Sequence, residues 1–222
     1  MLEVACFDIS SAIVAAEAGA DRIELCADYV AGGVTPSPDC VQSIRKETTK
    51  PINVMIRPRP GNFTYSEIEY EQMKADVHLF KPEASGFVFG ILDEQNRVDK
   101  ARNRELIELA APLPCTFHRA FDQVLDLSQA TQHLIECGFT SVLTSGGQPD
   151  AVRGADKVAG LHKEYGNRIS FILGGGIRSM NIDALRATAN VEWYHSAAIT
   201  KPGEVVDGDE VRTIQAILAH TA

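Results

Sequence analysis

The stretch LEVACFDISSAIVAAEAGADRIELC, residues 2–26, holds one complete structural period and the start of the next. Leu2–Cys6 is an apolar run of strand length, Ser10–Ala18 carries apolar residues at helical spacing, Gly19 stops that helix, and Arg22–Cys26 reads as a strand again. The same unit recurs outward to the end of the chain. A Gly-Gly loop through Thr35 leads to a helix beginning near Pro38, where proline suits a first turn. Pro51–Ile56 and Ser66–Phe80 form the third pair, Gly86–Leu92 and Asn103–Ala111 the fourth, and Pro114–His118 and Leu127–Cys137 the fifth. Ser141–Thr144 with Ala151–Tyr165, Ile169–Leu173 with Asn181–Ala189, and Glu192–His195 with Asp209–Ala219 complete the series. Eight strands, each followed by a helix at about 28 residues per unit, are the period of a (β/α)8 TIM barrel. The expected class is therefore α/β, with one barrel domain over residues 1–222 and a doubly wound open sheet as the competitor.

Composition sets limits on what such a barrel does. At 45% hydrophobic and 23% charged residues the chain has enough apolar content for a large core, and no linker divides it. A net charge of −9 with scattered Lys and Arg argues against nucleic acid, whose phosphates demand a basic face. Neither a signal peptide nor a membrane-length apolar window is present, so a cytoplasmic protein without membrane partners is expected. The five cysteines, odd in number and widely spaced, fit reduced thiols better than a disulfide framework.

Barrel chemistry lies at the C-terminal ends of the strands, and there this sequence is rich in polar groups. Glu24, inside a hydrophobic strand, needs a partner if it points inward, and Arg57 at the end of the next strand is the expected one. The pair reads as a structural ion pair or as an acid/base carboxylate tuned by burial. Glu3, Arg22 and Glu192 start neighbouring strands and read as a stabilising network at the opposite end. His118 and Asp122, four residues apart at the end of the fifth strand, suit a carboxylate that fixes the imidazole tautomer. A loop-stabilising hydrogen bond is the plainer reading. Thr144, Ser145 and Gly146 end the sixth strand. Gly175 and Gly176 in a glycine triplet, beside His195 and Ser196, offer backbone N–H groups to an anion, while Arg57 and Arg59 add positive charge. Cys6 and Cys26 end adjacent strands, where two thiolates suit one Cu(I) ion, although buried cysteine is more often a small hydrophobe.

Five segments carry a resemblance across nearly the whole chain: Gly19-Ala20-Asp21-Arg22-Ile23-Glu24-Leu25-Cys26, Gly32-Gly33-Val34-Thr35-Pro36-Ser37, Met55-Ile56-Arg57-Pro58-Arg59, Thr116-Phe117-His118-Arg119-Ala120-Phe121-Asp122 and Leu143-Thr144-Ser145-Gly146. In this order they resemble the signatures of the CutC family of copper homeostasis proteins. The resemblance implies a TIM barrel and cytosolic copper handling, with Cu(I) as the metal. Chains of that family often carry a longer insertion after His195-Ser196, whereas this one passes through Ala197–Asp207 directly to the last helix.

Two functions follow as expectations. A copper protein would hold Cu(I) through Cys6 and Cys26. An enzyme (an isomerase, lyase or hydrolase) would act on a small anionic or phosphorylated metabolite. Its acid/base partners would be Glu24 and His118, with Asp122 orienting His118, Arg57 and Arg59 neutralising charge, and Thr144, Ser145, Gly146, Gly175, Gly176, His195 and Ser196 contacting substrate. The expected partners are that anion or a copper ion, and a second copy of the chain in a homodimer.

Overall fold

A computed structural model of the chain describes residues 1–220; Thr221 and Ala222, the last two of the expected domain, lie outside the described residues. Eight parallel strands close into a barrel in sequence order: β1 (Leu2–Cys6), β2 (Arg22–Leu25), β3 (Ile52–Met55), β4 (Gly86–Phe89), β5 (Cys115–Phe117), β6 (Ser141–Thr144), β7 (Ser170–Gly174) and β8 (Trp193–Ser196). Each is followed by a helix: α1 (Ile9–Glu17), α2 (Pro38–Glu47), α3 (Glu67–Phe80), α4 (Lys100–Ala110), α5 (Leu127–Cys137), α6 (Ala151–Tyr165), α7 (Ile182–Ala189) and α8 (Gly208–Ala219). The TIM barrel expected from the repeat is the observed fold, and no helix among the described residues is long and apolar enough to cross a membrane.

Strands covered on both faces read as continuous apolar runs because one face fills the barrel and the other packs on helices. Leu2, Val4, Cys6, Ile23 and Leu25 belong to the large core between barrel and helices, whereas Cys26, Met55 and Val88 form a separate cluster inside the barrel. Helix starts are set by side-chain caps: Asp8, Asp99, Asp126, Asp150 and Asp207 each accept a backbone N–H in the first turn, and Ser66 with Glu69 makes a capping box. The Asp99 cap starts α4 three residues before the expected Asn103.

Two local features place the site. Closure of the barrel pairs Glu3 with His195 and Val4 with Ser196, so the beginning of β1 lies level with the end of β8. Strand tilt and stagger require such an offset in any closed barrel. After β5 the chain makes a 3-10 turn, Arg119–Gln123, which carries Asp122 away from His118 and toward β6.

Candidate functional site

A cavity of about 320 Å³ opens at the C-terminal mouth, and Glu24, Cys26, Arg57, His118, Gly176 and His195 are among the residues that line it. β1, β2 and β8 supply a chain of charged groups on one wall. Arg22 Nε donates to Glu3 Oε2 at 2.6 Å, and His195 Nδ1 lies 2.8 Å from Glu3 Oε1. His195 Nε2 faces Glu24 Oε2 at 3.7 Å. Burial pushes the Glu3 carboxyl up, but the Arg22 charge and the His195 hydrogen bond outweigh it and hold Glu3 below its ordinary value. An ionised Glu3 only accepts, so the proton on His195 Nδ1 is fixed there and Nε2 is left to exchange with Glu24. For His195, burial pulls downward and the two carboxylates win, raising its pKa. For Glu24, burial raises the pKa and His195 pulls it back only in part. Glu24 and His195 therefore face each other at ion-pair distance with both pKa values raised.

The opposite wall is built differently. Arg57 has no carboxylate partner among the described residues; its Nη1 donates to the carbonyls of Ala31, Gly32 and Gly33 and its Nη2 to that of Gly61. His118 follows β5 directly, and its Nδ1 accepts the N–H of Ala120 at 3.3 Å, which assigns its proton to Nε2. Phe63 lies against the imidazole with ring centroids 4.7 Å apart. Burial and the Arg57 charge lower the His118 pKa to about 3, so it is a neutral N–H donor at physiological pH. Gly90 makes room for it, since a Cβ there would stand 2.8 Å from the ring.

Three residues that line this cavity each carry a fully buried polar atom without a hydrogen-bond partner: Glu24 Oε1, Arg57 Nε and His118 Nε2. Toward β7 and β8 the cavity is lined by Gly175 and Gly176, both at positive φ, by Ala197, and by the guanidinium-bearing Arg119 and Arg178.

Several expectations are corrected by this geometry. Glu24 and Arg57 do not pair. Asp122 does not orient His118; it accepts from Thr144 Oγ1, the Ser145 and Gly147 N–H groups and Arg119 Nε. Thr144, Ser145 and Gly146 accordingly stand behind the cavity, where Ser145 Oγ accepts from Arg119 at 2.7 Å and steadies it. Arg59 is drawn off by Glu69 at 2.5 Å and by the carbonyls of Asn62 and Thr64. Gly175, Gly176, His195 and Ser196 do line the cavity, although Ser196 Oγ is already bonded to the Ile177 carbonyl. Cys6 and Cys26 do not converge. Cys6 pairs in register with Leu25 and packs outside the barrel, and Cys26, one residue further on, faces inside. Burial pushes both thiols well above their ordinary value, which keeps them protonated.

Glu3, set aside from sequence as part of a network at the other end, is the main omission. One ligand atom from each of Glu3, Glu24 and His195 lies within 4.8 Å of the others, the one such group of three or more among the described residues. Arg22 does pair with Glu3 as expected, but the carbonyl rather than the side chain of Glu192 is the part engaged, by the Met1 amino group.

The family model described as CutC family matches residues 1–200. A CutC family protein of Mesorhizobium japonicum is 40% identical over 200 residues, covering 90% of this chain and 78% of the relative. The human copper homeostasis protein cutC homolog is 41% identical over 199 residues, covering 89% and 73%. Among solved structures, CutC from Streptococcus agalactiae superposes with a TM-score of 0.83 at 28% identity, covering 89% of this chain and 98% of that one. Phosphoribosylanthranilate isomerase from Thermotoga maritima, with a TM-score of 0.62 at 13% identity, shares the fold alone.

Proposed function

The chain belongs to the CutC family, and from that premise we propose that its barrel mouth binds a small anionic molecule and acts on it by proton transfer, with Glu24 and His195 as the acid/base couple. The observation that carries this reading is the gathering of Glu24, His195, His118 and Arg57 around one cavity, with Arg57 carrying no carboxylate partner among the described residues. Arg57 supplies the positive charge. His118 supplies a neutral donor, and Glu3 with Arg22 holds the proton on His195 Nδ1. Metabolites retained on the purified protein, identified by mass spectrometry, test the reading: an anion is expected on the wild type and is expected to be lost in Arg57→Met. Retention of the same anion by Arg57→Met overturns it. A cytoplasmic setting, expected from the sequence, belongs to this proposal.

Copper handling is the second reading, favoured by the name carried by the human and mouse relatives and by the grouping of Glu3, Glu24 and His195. Here the ion is cargo. Two carboxylates and an imidazole suit a borderline divalent ion such as Cu(II), whereas Cu(I) prefers sulfur. Chelator competition with both ions separates the cases. If these groups carry the ion, His195→Ala weakens Cu(II) at least tenfold, and unchanged affinity for both ions overturns the copper reading.

A further inference from the structure

Resting on the anion reading above, we infer that the ligand is an anion built on a flat ring, its charge drawn toward Arg57 and its ring packed on Phe7, Tyr29 and Phe63. Arg57 sets the sign of the charge, and its surroundings set the rest. The groups that meet its guanidinium among the described residues are neutral: the carbonyls of Ala31, Gly32, Gly33 and Gly61, and the Tyr65 phenol, which burial keeps protonated with its pKa raised to about 12. With its Nη donors taken by carbonyls, Arg57 offers the cavity a positive field and no free fork of hydrogen bonds. A field alone selects poorly among anions, so the body of the ligand must supply the selectivity.

Aromatic side chains reach that charge by two routes. The Phe63 ring lies against the guanidinium, with Arg57 Cζ 4.9 Å from its centroid, and against the His118 imidazole. Gly33, whose carbonyl accepts from Arg57 Nη1 at 2.8 Å, packs closely on side chains from β1 and β2: a Cβ added to it would stand 3.3 Å from Cys26 Sγ and 3.7 Å from Phe7 Cε1. Phe7 in turn meets Tyr29 edge to face, with ring centroids 5.1 Å apart. Phe7, Tyr29 and Phe63 all line the cavity, and Phe7 is backed by the cluster of Cys26, Met55 and Val88 inside the barrel.

These rings are less covered than those of the core. Phe87, Phe89, Phe117 and Phe121 are fully buried, whereas Phe7 and Phe63 are half-buried and Tyr29 is 39% exposed. Uncovered rings on a concave wall gain most from another ring, which offers offset-stacked and edge-to-face contacts beyond the area it buries. β7 lies opposite β3 in the closed barrel, and there Gly175 and Gly176 add no side chain, which leaves the cavity of about 320 Å³ open to a ring with its charged group.

Calorimetry on the full chain tests the inference with two series of probes: phenyl, cyclohexyl and ethyl phosphate, and benzoate, cyclohexanecarboxylate and acetate. In at least one series the flat ring is expected to bind roughly tenfold or more tighter than the short chain, and tighter than the saturated ring of equal carbon count. Tyr29→Ser at the exposed rim and Phe63→Leu should each cut the preference over the short chain to about threefold or less. That ratio compares anions on one variant, so a partly misfolded sample does not mimic the result. Arg57→Met should weaken all members of the binding series together. Equal binding of flat ring and short chain in both series, equal binding of flat and saturated rings, or a preference that survives both substitutions overturns the ring inference and leaves the anion site standing. If no probe binds, the anion reading falls and the inference with it.

Discussion

Glu24 and Asp122 are carboxylates at the same end of one barrel, and their surroundings are opposites. Asp122 sits in the 3-10 turn after β5 with both oxygens engaged, by Thr144 Oγ1, by Ser145 and Gly147 backbone N–H groups and by Arg119. Glu24 faces into the cavity with one oxygen bonded by nothing and the other met by the Cys26 thiol at 3.5 Å and His195 at 3.7 Å. A satisfied carboxylate ties one loop to another. An unsatisfied buried one lowers stability and is retained where it performs chemistry. Hydrogen-bond completeness, more than position in the sequence, separates the structural carboxylate from the one proposed to act on a ligand.

The largest effect that tests this contrast is expected from Asp122→Ala. It leaves the Gly147 N–H and Thr144 hydroxyl without their acceptor, and a loss of about 3 kcal/mol or more in urea unfolding follows. A loss below about 1 kcal/mol would remove the structural role assigned to Asp122.

Next in size is Gly90→Ala. The new Cβ meets His118 Nδ1 and Cε1 at 2.8 Å, so the imidazole must move or the strand must give, at about 1–3 kcal/mol. The imidazole resonances of the variant should shift, and unchanged shifts would show that packing does not hold the ring.

Glu24→Gln comes third. Because burial already disfavours its charge, removing that charge should change the unfolding free energy by less than about 1 kcal/mol, in the stabilising direction if at all. A cost of about 3 kcal/mol would break the contrast and make Glu24 a structural partner of His195.

The finest distinction is between the two histidines across pH. His195, raised above 6.5, binds its proton more tightly folded than unfolded, so its stabilising contribution is full at low pH and is lost as pH rises through the folded value. His118, lowered to about 3, works the other way: its contribution is full above 6.5 and declines as pH falls toward 3. In imidazole NMR between pH 5 and 9 the His195 resonance should titrate above 6.5 while that of His118 stays flat throughout. A titrating His118 would contradict its burial.

The fold was legible because a barrel strand is apolar on both faces and because apolar residues recur at helical spacing in the segments between strands. Those signals are local. The site depends on nonlocal geometry. Glu3 looks like a strand start, and only the offset between β1 and β8 brings it beside His195. Asp122 has the right spacing to support His118, yet the turn that follows β5 directs it to β6. Cys6 and Cys26 end neighbouring strands, but register pairs Cys6 with Leu25, and the pleat then sends the thiols to opposite faces. The parity of Glu24, Cys26, Arg57, His118 and His195 could be read in advance, and their partners could not.

Arg57 is held by four neutral carbonyls, so its charge is oriented without being cancelled. The chain as a whole carries −9. An anion approaching from solution therefore meets repulsion first and attraction only at the mouth. Salt screens the first over a Debye length of about 8–10 Å and barely reaches the second. Association of an anion with this barrel should accordingly speed up as ionic strength rises, the reverse of electrostatic steering, and stopped-flow rates at several salt concentrations would display the sign directly.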